Sequence, residues 1–227
     1  MRKRVIIFSI ILVVTLGGLI FYRFFPEIWG EAVYPLEHEE VINRSASEFG
    51  IDPTLIAAVI FRESRFHETS VSRAGARGLM QIVPGTGAGI AKRLGVTNFS
   101  ADLLFDPVTN IRFGTSYLRT LYDSYGSLDL VLAAYNGGGA AANRLKESGN
   151  YNLIPRETYF FINNVKSAQE MYAKVYSDRL KSVEGAAPLT PTTISPTPVA
   201  PAPLPPVTLP SSIWQKPLKD ILNTVLF

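Results

Sequence analysis

The sequence predicts an all-α body, and three observations support that prediction. Apolar residues recur at helical spacing in several segments between residues 36 and 181. Asp52-Pro53 and Asp106-Pro107 each combine an N-cap aspartate with a residue that suits the first position of a helix. No part of this body shows the sustained alternation of apolar and polar residues that is typical of half-buried strands.

The first element is an uncharged, apolar run at residues 5–22, which follows the basic stub of residues 1–4. The run is just long enough to span a bilayer as a helix, and the basic residues before it predict a cytoplasmic N-terminus. The alternative is a cleaved signal peptide, although the run is long for one and no clear small-x-small cleavage site precedes Arg23. We therefore expect a single-pass anchor in the cell membrane, with the body in the periplasm or outside the cell.

A connector at residues 23–35 leads to the helical body at residues 36–181. The first helix of the body is predicted to end near Phe49, because Gly50 is typical of the C′ position. Further helices are predicted at 53–64, 107–125, 128–135 and 155–181.

Two glycine-rich stretches interrupt these helices. Residues 70–78 are polar as well as rich in glycine, so they are predicted to form a loop rather than a core element. Glycines 137–139 are predicted to end the helix that precedes them, because glycine is a poor helix former.

The C-terminal part of the chain differs in composition from the body. Residues 186–210 are rich in Pro, Thr and Ala and lack apolar periodicity, which predicts an extended spacer. Residues 211–227 form a short amphipathic segment that is suited to docking on a membrane, on a protein partner or on the body itself. The alternative is a weakly ordered tail that has no role.

The composition excludes several classes of function. The chain has no cysteine, so it has neither disulfides nor a thiol nucleophile, and its two histidines, His38 and His67, are far apart in sequence. We therefore expect no metal site and no other cofactor. A formal net charge of +3 suits an anionic envelope polymer or a membrane surface, but it is too weak to argue for nucleic acid.

The most informative single residue is Glu63, a carboxylate on an apolar helix stripe. Glu63 follows Val59 by four residues and Ile60 by three, so it continues the apolar stripe of its helix. A charged, unpaired carboxylate is costly in such surroundings, which raise its pKa and suit a general acid. The alternative is a carboxylate in water at a frayed helix end.

Glu63 is also the first residue in an ordered series of short motifs. The series comprises Glu-Ser-Arg-Phe at 63–66, the Gly-Leu-Met-Gln region at 72–86, and later stretches at 106–111, 133–138 and 154–158. Over residues 36–176, this order resembles the catalytic domain of soluble-type lytic transglycosylases, the SLT domain of glycoside hydrolase family 23, which cleave bacterial peptidoglycan. The resemblance implies a lysozyme-like α-helical domain with a long glycan cleft.

The resemblance also implies a role for each matched residue. Glu63 matches the sole catalytic carboxylate, which first protonates the glycosidic oxygen and then takes the proton of the sugar's own 6-hydroxyl. These two proton transfers give a 1,6-anhydro-muramic end without water. The residues implied to line the cleft or contact the glycan are Ser64, Gly78, Leu79, Met80, Gln81, Tyr135, Asn136 and Glu157.

For three of these residues a structural role is the alternative. Ser64 is suited to capping the end of its helix, and Tyr135 is suited to packing at the end of an alanine-rich helix. Glu157 is suited to the first turn of a helix, where the helix dipole favours an acid.

The chain departs from the family pattern in two places. Gly137-Gly138-Gly139-Ala140 stands where the family usually has Ala-Gly-Pro-Gly, so this loop lacks the stiffening proline. Tyr159 stands where the family usually has arginine after Glu-Thr. Both departures concern the details of the glycan subsites, and neither involves Glu63 or Gln81.

Two alternative functions stay open at this level. A hydrolase on the same fold, like goose-type lysozyme, usually needs a second acid to position water, and residues 67–78 offer only Glu68. A protein that binds peptidoglycan and has lost activity is the other alternative, against which the presence of Glu63, Gln81 and Tyr135 argues. We therefore expect a membrane-anchored peptidoglycan lytic transglycosylase.

Overall fold

The structure is a computed structural model that describes residues 2–181, with side chains described at 6–21 and 30–181. The predicted spacer at 186–210 and the amphipathic segment at 211–227 lie outside the described residues.

The regular elements of the described residues are all helices, with no strands, which confirms the predicted all-α class. Their helices are α1 (Arg2–Val33), α2 (Glu39–Phe49), α3 (Pro53–Ser64), α4 (Pro84–Arg93), α5 (Pro107–Tyr125), α6 (Leu128–Ser148) and α7 (Arg156–Val175). Two short 3₁₀ helices lie at Ala101–Phe105 and Tyr151–Leu153. Within residues 2–181 the extended pairing is limited to isolated bridges, in which Arg77 pairs with Val71 and with Ile82.

The predicted helix caps are present. Asp52 accepts a hydrogen bond from the Thr54 backbone N–H at 2.8 Å. Asp106 accepts one from the Thr109 backbone N–H, also at 2.8 Å. Gly50 ends α2 with a φ of 63°, a left-handed conformation that glycine adopts without strain.

Several helix boundaries differ from the prediction. Gly138 is not helical, with φ 74° and ψ 174°, but the chain resumes a helix that reaches Ser148 because the residues that follow are good helix formers. The last helix ends at Val175 rather than at residue 181. Helix α1 continues to Val33, so most of the predicted connector is helical. Helix α4 was not predicted at all.

Helix α3 is the centre of the core. Residues 55–60 are each at most 2% exposed, so this helix is buried on all sides. It packs along α7 and also against α2, while α6 packs against both α5 and α7. Because α3 runs through the core and ends at its edge, the last turn of α3 carries Glu63 from apolar surroundings to the surface of the domain.

The residues that follow α1 are tied to the core. The Tyr34 carbonyl accepts a hydrogen bond from the Tyr176 hydroxyl, and the Pro35 carbonyl accepts one from the Tyr172 hydroxyl, both at 2.7 Å. The Tyr34 ring centroid also lies 5.1 Å from that of Phe61, two residues before Glu63. This segment therefore supports the end of the helix that carries Glu63.

A helix with the length and hydropathy of a membrane span is not found among the residues that the structure describes. The membrane anchor expected at residues 5–22 stays a prediction.

Candidate active site

The carboxyl group of Glu63 lies in the last turn of α3 and is half-buried. Burial raises the pKa of Glu63 from its ordinary value of 4.5 to about 8. The neighbouring Arg62 cation opposes this rise in pKa, and the Glu157 carboxylate adds to it. At neutral pH the Glu63 carboxyl is therefore mostly protonated, which is the state that a general acid requires.

The backbone turns directly after Glu63, where the His67 N–H donates to the Ser64 carbonyl at 3.0 Å. Arg65 and Phe66 both have left-handed backbones, with φ values of 51° and 64°, which is uncommon outside glycine. Ser64 is buried, and its hydroxyl donates to the Ile60 carbonyl at 3.2 Å. The hydroxyl of Ser64 thus bonds to its own helix, as the structural interpretation of this residue expects.

The stretch from Gly78 to Gln81 forms a tight loop, in which the Gln81 N–H donates to the Gly78 carbonyl at 3.2 Å. Gly78 has a φ of 75°, and an added Cβ there would overlap the Leu104 carbonyl oxygen and the Asn110 side chain, so only glycine fits. The side chains of Leu79 and Met80 are fully buried. Both residues are 0% exposed as a whole, and the Met80 N–H and carbonyl are bonded to Asn110 and Tyr135. Within the described residues, Leu79 and Met80 therefore support the loop from inside and are not part of the exposed surface.

Asn110 fixes this loop, a role that its place in the sequence did not reveal. The residue is fully buried. Its amide nitrogen donates to the Arg77 carbonyl at 2.9 Å and to the Leu104 carbonyl at 2.6 Å, while its amide oxygen accepts from the Met80 N–H at 2.7 Å. The available sequence signal was an amide on the apolar face of α5, directly before Ile111.

Tyr135 connects the loop to the surroundings of Glu63. Its hydroxyl donates to the Met80 carbonyl at 2.7 Å, and its ring stacks on that of Phe161 with centroids 6.3 Å apart. Burial, with an added contribution from Glu63, raises the pKa of Tyr135 well above its ordinary value. The hydroxyl therefore keeps its proton, which is committed to Met80, and can only accept a further hydrogen bond.

Within the described residues, each of the two site amides has one atom without a hydrogen-bond partner. The Gln81 amide nitrogen donates to the Gly78 carbonyl at 2.8 Å and to the Ser70 carbonyl at 3.1 Å, which leaves its oxygen to accept from a ligand. The Asn136 amide oxygen accepts from the Thr158 hydroxyl at 3.0 Å, which leaves its nitrogen to donate. A ligand at this site is therefore offered one acceptor and one donor.

Two further acids lie near the end of α3. Glu157 is exposed in the first turn of α7 and acts electrostatically on Glu63. Glu68 lies with a carboxylate oxygen 3.1 Å from the His38 ring nitrogen Nε2. The structure thus brings together Glu63, Tyr135 and Glu157, and it gives Glu68 a partner on the segment before α2.

Opposite shifts in pH dependence are expected from the two exposed charges that act on Glu63. Glu157→Gln removes a carboxylate that raises the pKa of Glu63, so the pH above which activity falls is expected to decrease. Arg62→Gln removes a cation that lowers this pKa, so that pH is expected to increase. The dependence of kcat/KM on pH measures both shifts, and added salt should weaken them.

The direction of each shift is the test, because Glu157→Gln is also expected to change the rate itself. Shifts in the same direction for both variants would contradict Glu63 as the group that titrates. Arg44→Gln is a suitable control, because Arg44 pairs with Glu40 at 3.4 Å on α2 and does not act on Glu63.

The all-α fold is lysozyme-like, and its central helix α3 ends beside the half-buried carboxyl of Glu63. A family model, the transglycosylase SLT domain, matches residues 40–154, which is just over half of the chain. The chain belongs to this family.

Two relatives illustrate the match. The soluble lytic murein transglycosylase of Escherichia coli is 32% identical over 160 residues, which cover 66% of this chain and 25% of the relative. The transglycosylase of Enterobacteria phage PRD1 is 40% identical over 108 residues, which cover 48% of this chain and 37% of the relative. The chain thus spans between a quarter and somewhat over a third of the length of these relatives.

Solved structures agree with these matches. An inactive mutant of the lytic transglycosylase Slt from Pseudomonas aeruginosa matches with a TM-score of 0.61 at 26% identity, covering 68% of this chain and 27% of that one. The 70 kDa soluble lytic transglycosylase of Escherichia coli matches with a TM-score of 0.60 at 28% identity, covering 70% of this chain and 28% of that one. A complex of the 70 kDa soluble lytic transglycosylase with bulgecin A matches with a TM-score of 0.61 at 29% identity and the same coverage.

Proposed function

We propose that this chain is a peptidoglycan lytic transglycosylase, which cleaves the β-1,4 bond between N-acetylmuramic acid and N-acetylglucosamine without water. The observation that carries the proposal is the half-buried Glu63 carboxyl, whose pKa of about 8 keeps it protonated at neutral pH. Membership of the SLT family and the names of the relatives support the choice of peptidoglycan as substrate.

In the first step Glu63 acts as a general acid. It donates its proton to the glycosidic oxygen while the bond from that oxygen to the muramic anomeric carbon breaks. The positive charge that develops on the sugar is stabilised by the substrate's own N-acetyl group, because a substrate-assisted reaction needs no second carboxylate. The Glu63 carboxylate formed in this step is held close to the charged sugar.

In the second step the same carboxylate acts as a base. It takes the proton of the muramic 6-hydroxyl, whose oxygen bonds to the anomeric carbon and closes the 1,6-anhydro ring. Glu63 regains the proton that it gave up, so the enzyme returns to its starting state and no water is consumed. The raised pKa favours this return, since the surroundings disfavour the charged carboxylate.

The remaining site residues orient the sugar. The Tyr135 hydroxyl can accept from the N-acetyl N–H or from the protonated Glu63, because its own proton is bonded to Met80. The free Gln81 oxygen accepts from a sugar hydroxyl, and the free Asn136 nitrogen donates to one. Fixed partners of this kind help to hold the 6-hydroxyl near the anomeric carbon, which favours ring closure over attack by water.

A hydrolase on the same fold is the alternative, and the position of Glu68 argues against it. Glu68 is the acid near Glu63 in sequence that could position water, and its carboxylate lies 3.1 Å from His38 Nε2. The carboxylate that acts on Glu63 is instead Glu157, on α7. The structure therefore gives Glu68 a different partner, and the proposal retains a single catalytic carboxylate.

Mass spectrometry of the muropeptides that the full-length chain releases from purified sacculi tests the proposal. We expect 1,6-anhydro-muramic ends. Reducing muramic ends would replace the lyase with the hydrolase. Binding to sacculi without any release would favour a peptidoglycan-binding protein that has lost activity.

We also propose that residues 5–22 anchor the enzyme in the cell membrane, with the body in the periplasm or outside the cell. The apolar run and the basic stub before it support this. Helix α1 also exposes large apolar side chains to solvent, for example Phe8 at 72% and Val13 at 70%. Recovery of the full-length chain in the fraction that is soluble without detergent, with its N-terminus intact, would contradict an anchor.

A further inference from the structure

An exposed aromatic cluster lies at the N-terminal end of α7. Tyr159 and Phe160 are 40% and 46% exposed, and their ring centroids lie 5.6 Å apart with the planes at 62°. Two neighbouring aromatic rings that remain in water on a folded domain offer a ligand an apolar surface to contact.

Tyr151 packs against the aromatic cluster and holds it in place. The Tyr151 ring centroid lies 5.9 Å from that of Tyr159 in an edge-to-face arrangement. The Tyr151 hydroxyl donates to Asp129, and Asp129 also accepts from the Lys166 ammonium at 2.9 Å. Because these contacts order the rings before a ligand arrives, less conformational entropy is lost when a ligand binds.

The N-terminal end of α7, which carries this cluster, also contributes residues to the candidate active site. Glu157 contributes to the raised pKa of Glu63, and Phe161 stacks on Tyr135. Phe160 follows Glu157 by three residues, and side chains three apart are neighbours on a helix surface. The aromatic cluster is therefore continuous with the site, on the side of Glu157.

A positive charge completes the cluster. The Arg156 guanidinium lies 5.3 Å from the centroid of the Phe160 ring. Aromatic faces suit the apolar C–H faces of pyranose rings, and an adjacent guanidinium suits a carboxylate. A glycan strand that contains muramic acid presents both features, because each muramic unit carries a carboxyl-bearing lactyl side chain.

We propose that Tyr159, Phe160 and Arg156 form an additional glycan subsite beyond the bond that is cleaved. Sugar rings stack on the two aromatic side chains, and a carboxyl group of the muramic side chain or its peptide pairs with Arg156. The subsite rests on the proposed function, since its ligand is the same strand. Tyr159 occupies a position where the family usually has arginine, so the subsite is a feature of this chain.

The test is binding of the full-length chain carrying Glu63→Gln to soluble, uncrosslinked glycan strands. In this background, Tyr159→Leu with Phe160→Leu keeps the apolar surface but removes the aromatic faces. We expect strands to bind about three- to tenfold more weakly, in the range known for aromatic contacts. The same exchange in the active chain should raise KM for long strands more than it lowers kcat.

Arg156→Ala has a matched control in Arg119→Ala. Both guanidinium groups lie over an aromatic ring on a helix surface, since Arg119 is 5.8 Å from the centroid of Tyr122 on α5. We expect Arg156→Ala to weaken strand binding and reduce its dependence on salt, and Arg119→Ala to change neither. Equal effects of the two exchanges would contradict the subsite.

Other results would overturn the proposal in identifiable ways. Unchanged strand binding by the leucine variant, in a chain that still releases anhydro-muropeptides, would reject the subsite and leave the proposed function standing. Binding of the Glu63→Gln parent to anionic phospholipid vesicles but not to strands, with weaker vesicle binding by the leucine variant, would assign the cluster to a membrane instead. Absence of both strand binding and product release would reject the proposed function itself.

Discussion

Glu63→Gln is expected to abolish cleavage while making the folded domain more stable at neutral and alkaline pH. The variant cannot donate a proton to the leaving oxygen or accept one from the 6-hydroxyl. General acid or base catalysis contributes about 10²- to 10⁴-fold to a reaction, and Glu63 serves both steps, so we expect a loss of at least about a thousandfold. The rate of anhydro-muropeptide release measures it.

The gain in stability follows from the raised pKa. Between the ordinary value of 4.5 and the folded value of about 8, the folded state keeps a proton on Glu63 that the unfolded state releases. Glu63 therefore lowers the free energy of unfolding progressively as the pH rises through this window, and the loss is constant above it. Glutamine does not ionise, so the advantage of Glu63→Gln grows over the same window.

The size of this gain is limited by solvent. One unit of pKa corresponds to about 1.36 kcal/mol, so the whole shift would set an upper limit of about 5 kcal/mol. Because the carboxyl is only half-buried and water screens it, we expect about 1–3 kcal/mol. Urea unfolding at several pH values tests the prediction, with Glu40→Gln on α2 as an exposed control that is remote from Glu63. A gain that does not depend on pH would mean that Glu63 titrates normally.

Asn110→Asp is expected to damage both the fold and the active site. The exchange removes the two donors to the Arg77 and Leu104 carbonyls and places a carboxylate against them. A buried, unpaired charge of this kind costs about 3–5 kcal/mol. Release of the loop also frees the Met80 carbonyl that orients Tyr135. Since a displacement of about 1 Å can cost about 10²-fold in rate, we expect kcat per folded molecule to fall about 10- to 100-fold.

Asn43→Asp is the matched control. Asn43 is 9% exposed, and its amide donates to the Arg179 carbonyl at 2.7 Å and accepts from the Lys181 N–H at 3.1 Å. It therefore ties α2 to the segment after α7 in the way that Asn110 ties its loop to α5. We expect Asn43→Asp to lower stability without changing kcat per folded molecule. If both variants lose the same activity per folded molecule, Asn110 has no role in orienting the site.

Glu63 itself could be recognised from the sequence because the signal is local. Its distance of three and four residues from Ile60 and Val59 places it on the apolar stripe whatever the rest of the fold does. The N-caps Asp52 and Asp106 were predicted for the same reason, since a cap is defined by the two or three residues that follow it. The all-α class follows from such local patterns taken together.

The support of the site could not be predicted, because it depends on contacts between distant segments. Asn110 bonds to Met80 across thirty residues and Tyr135 to Met80 across fifty-five. The spacing of residues also did not show that Leu79 and Met80 would be buried. Nor did it show that the Ser64 hydroxyl would bond to its own helix, or that the chain would resume a helix after Gly138.

The sequence by itself determined the helical class, the caps and the position of Glu63 on an apolar stripe, because periodicity and capping act over a few residues. Only the tertiary structure decided what state that acid is in and what surrounds it. The pKa of Glu63 depends on how much water the packed helices exclude and on charges at Arg62 and Glu157. Whether the Gln81 oxygen and the Asn136 nitrogen can bind a ligand depends on the partners of the other amide atoms, which are Gly78 and Thr158. Packing of the helices brings these partners into place, and the spacing of residues in the sequence does not reveal them.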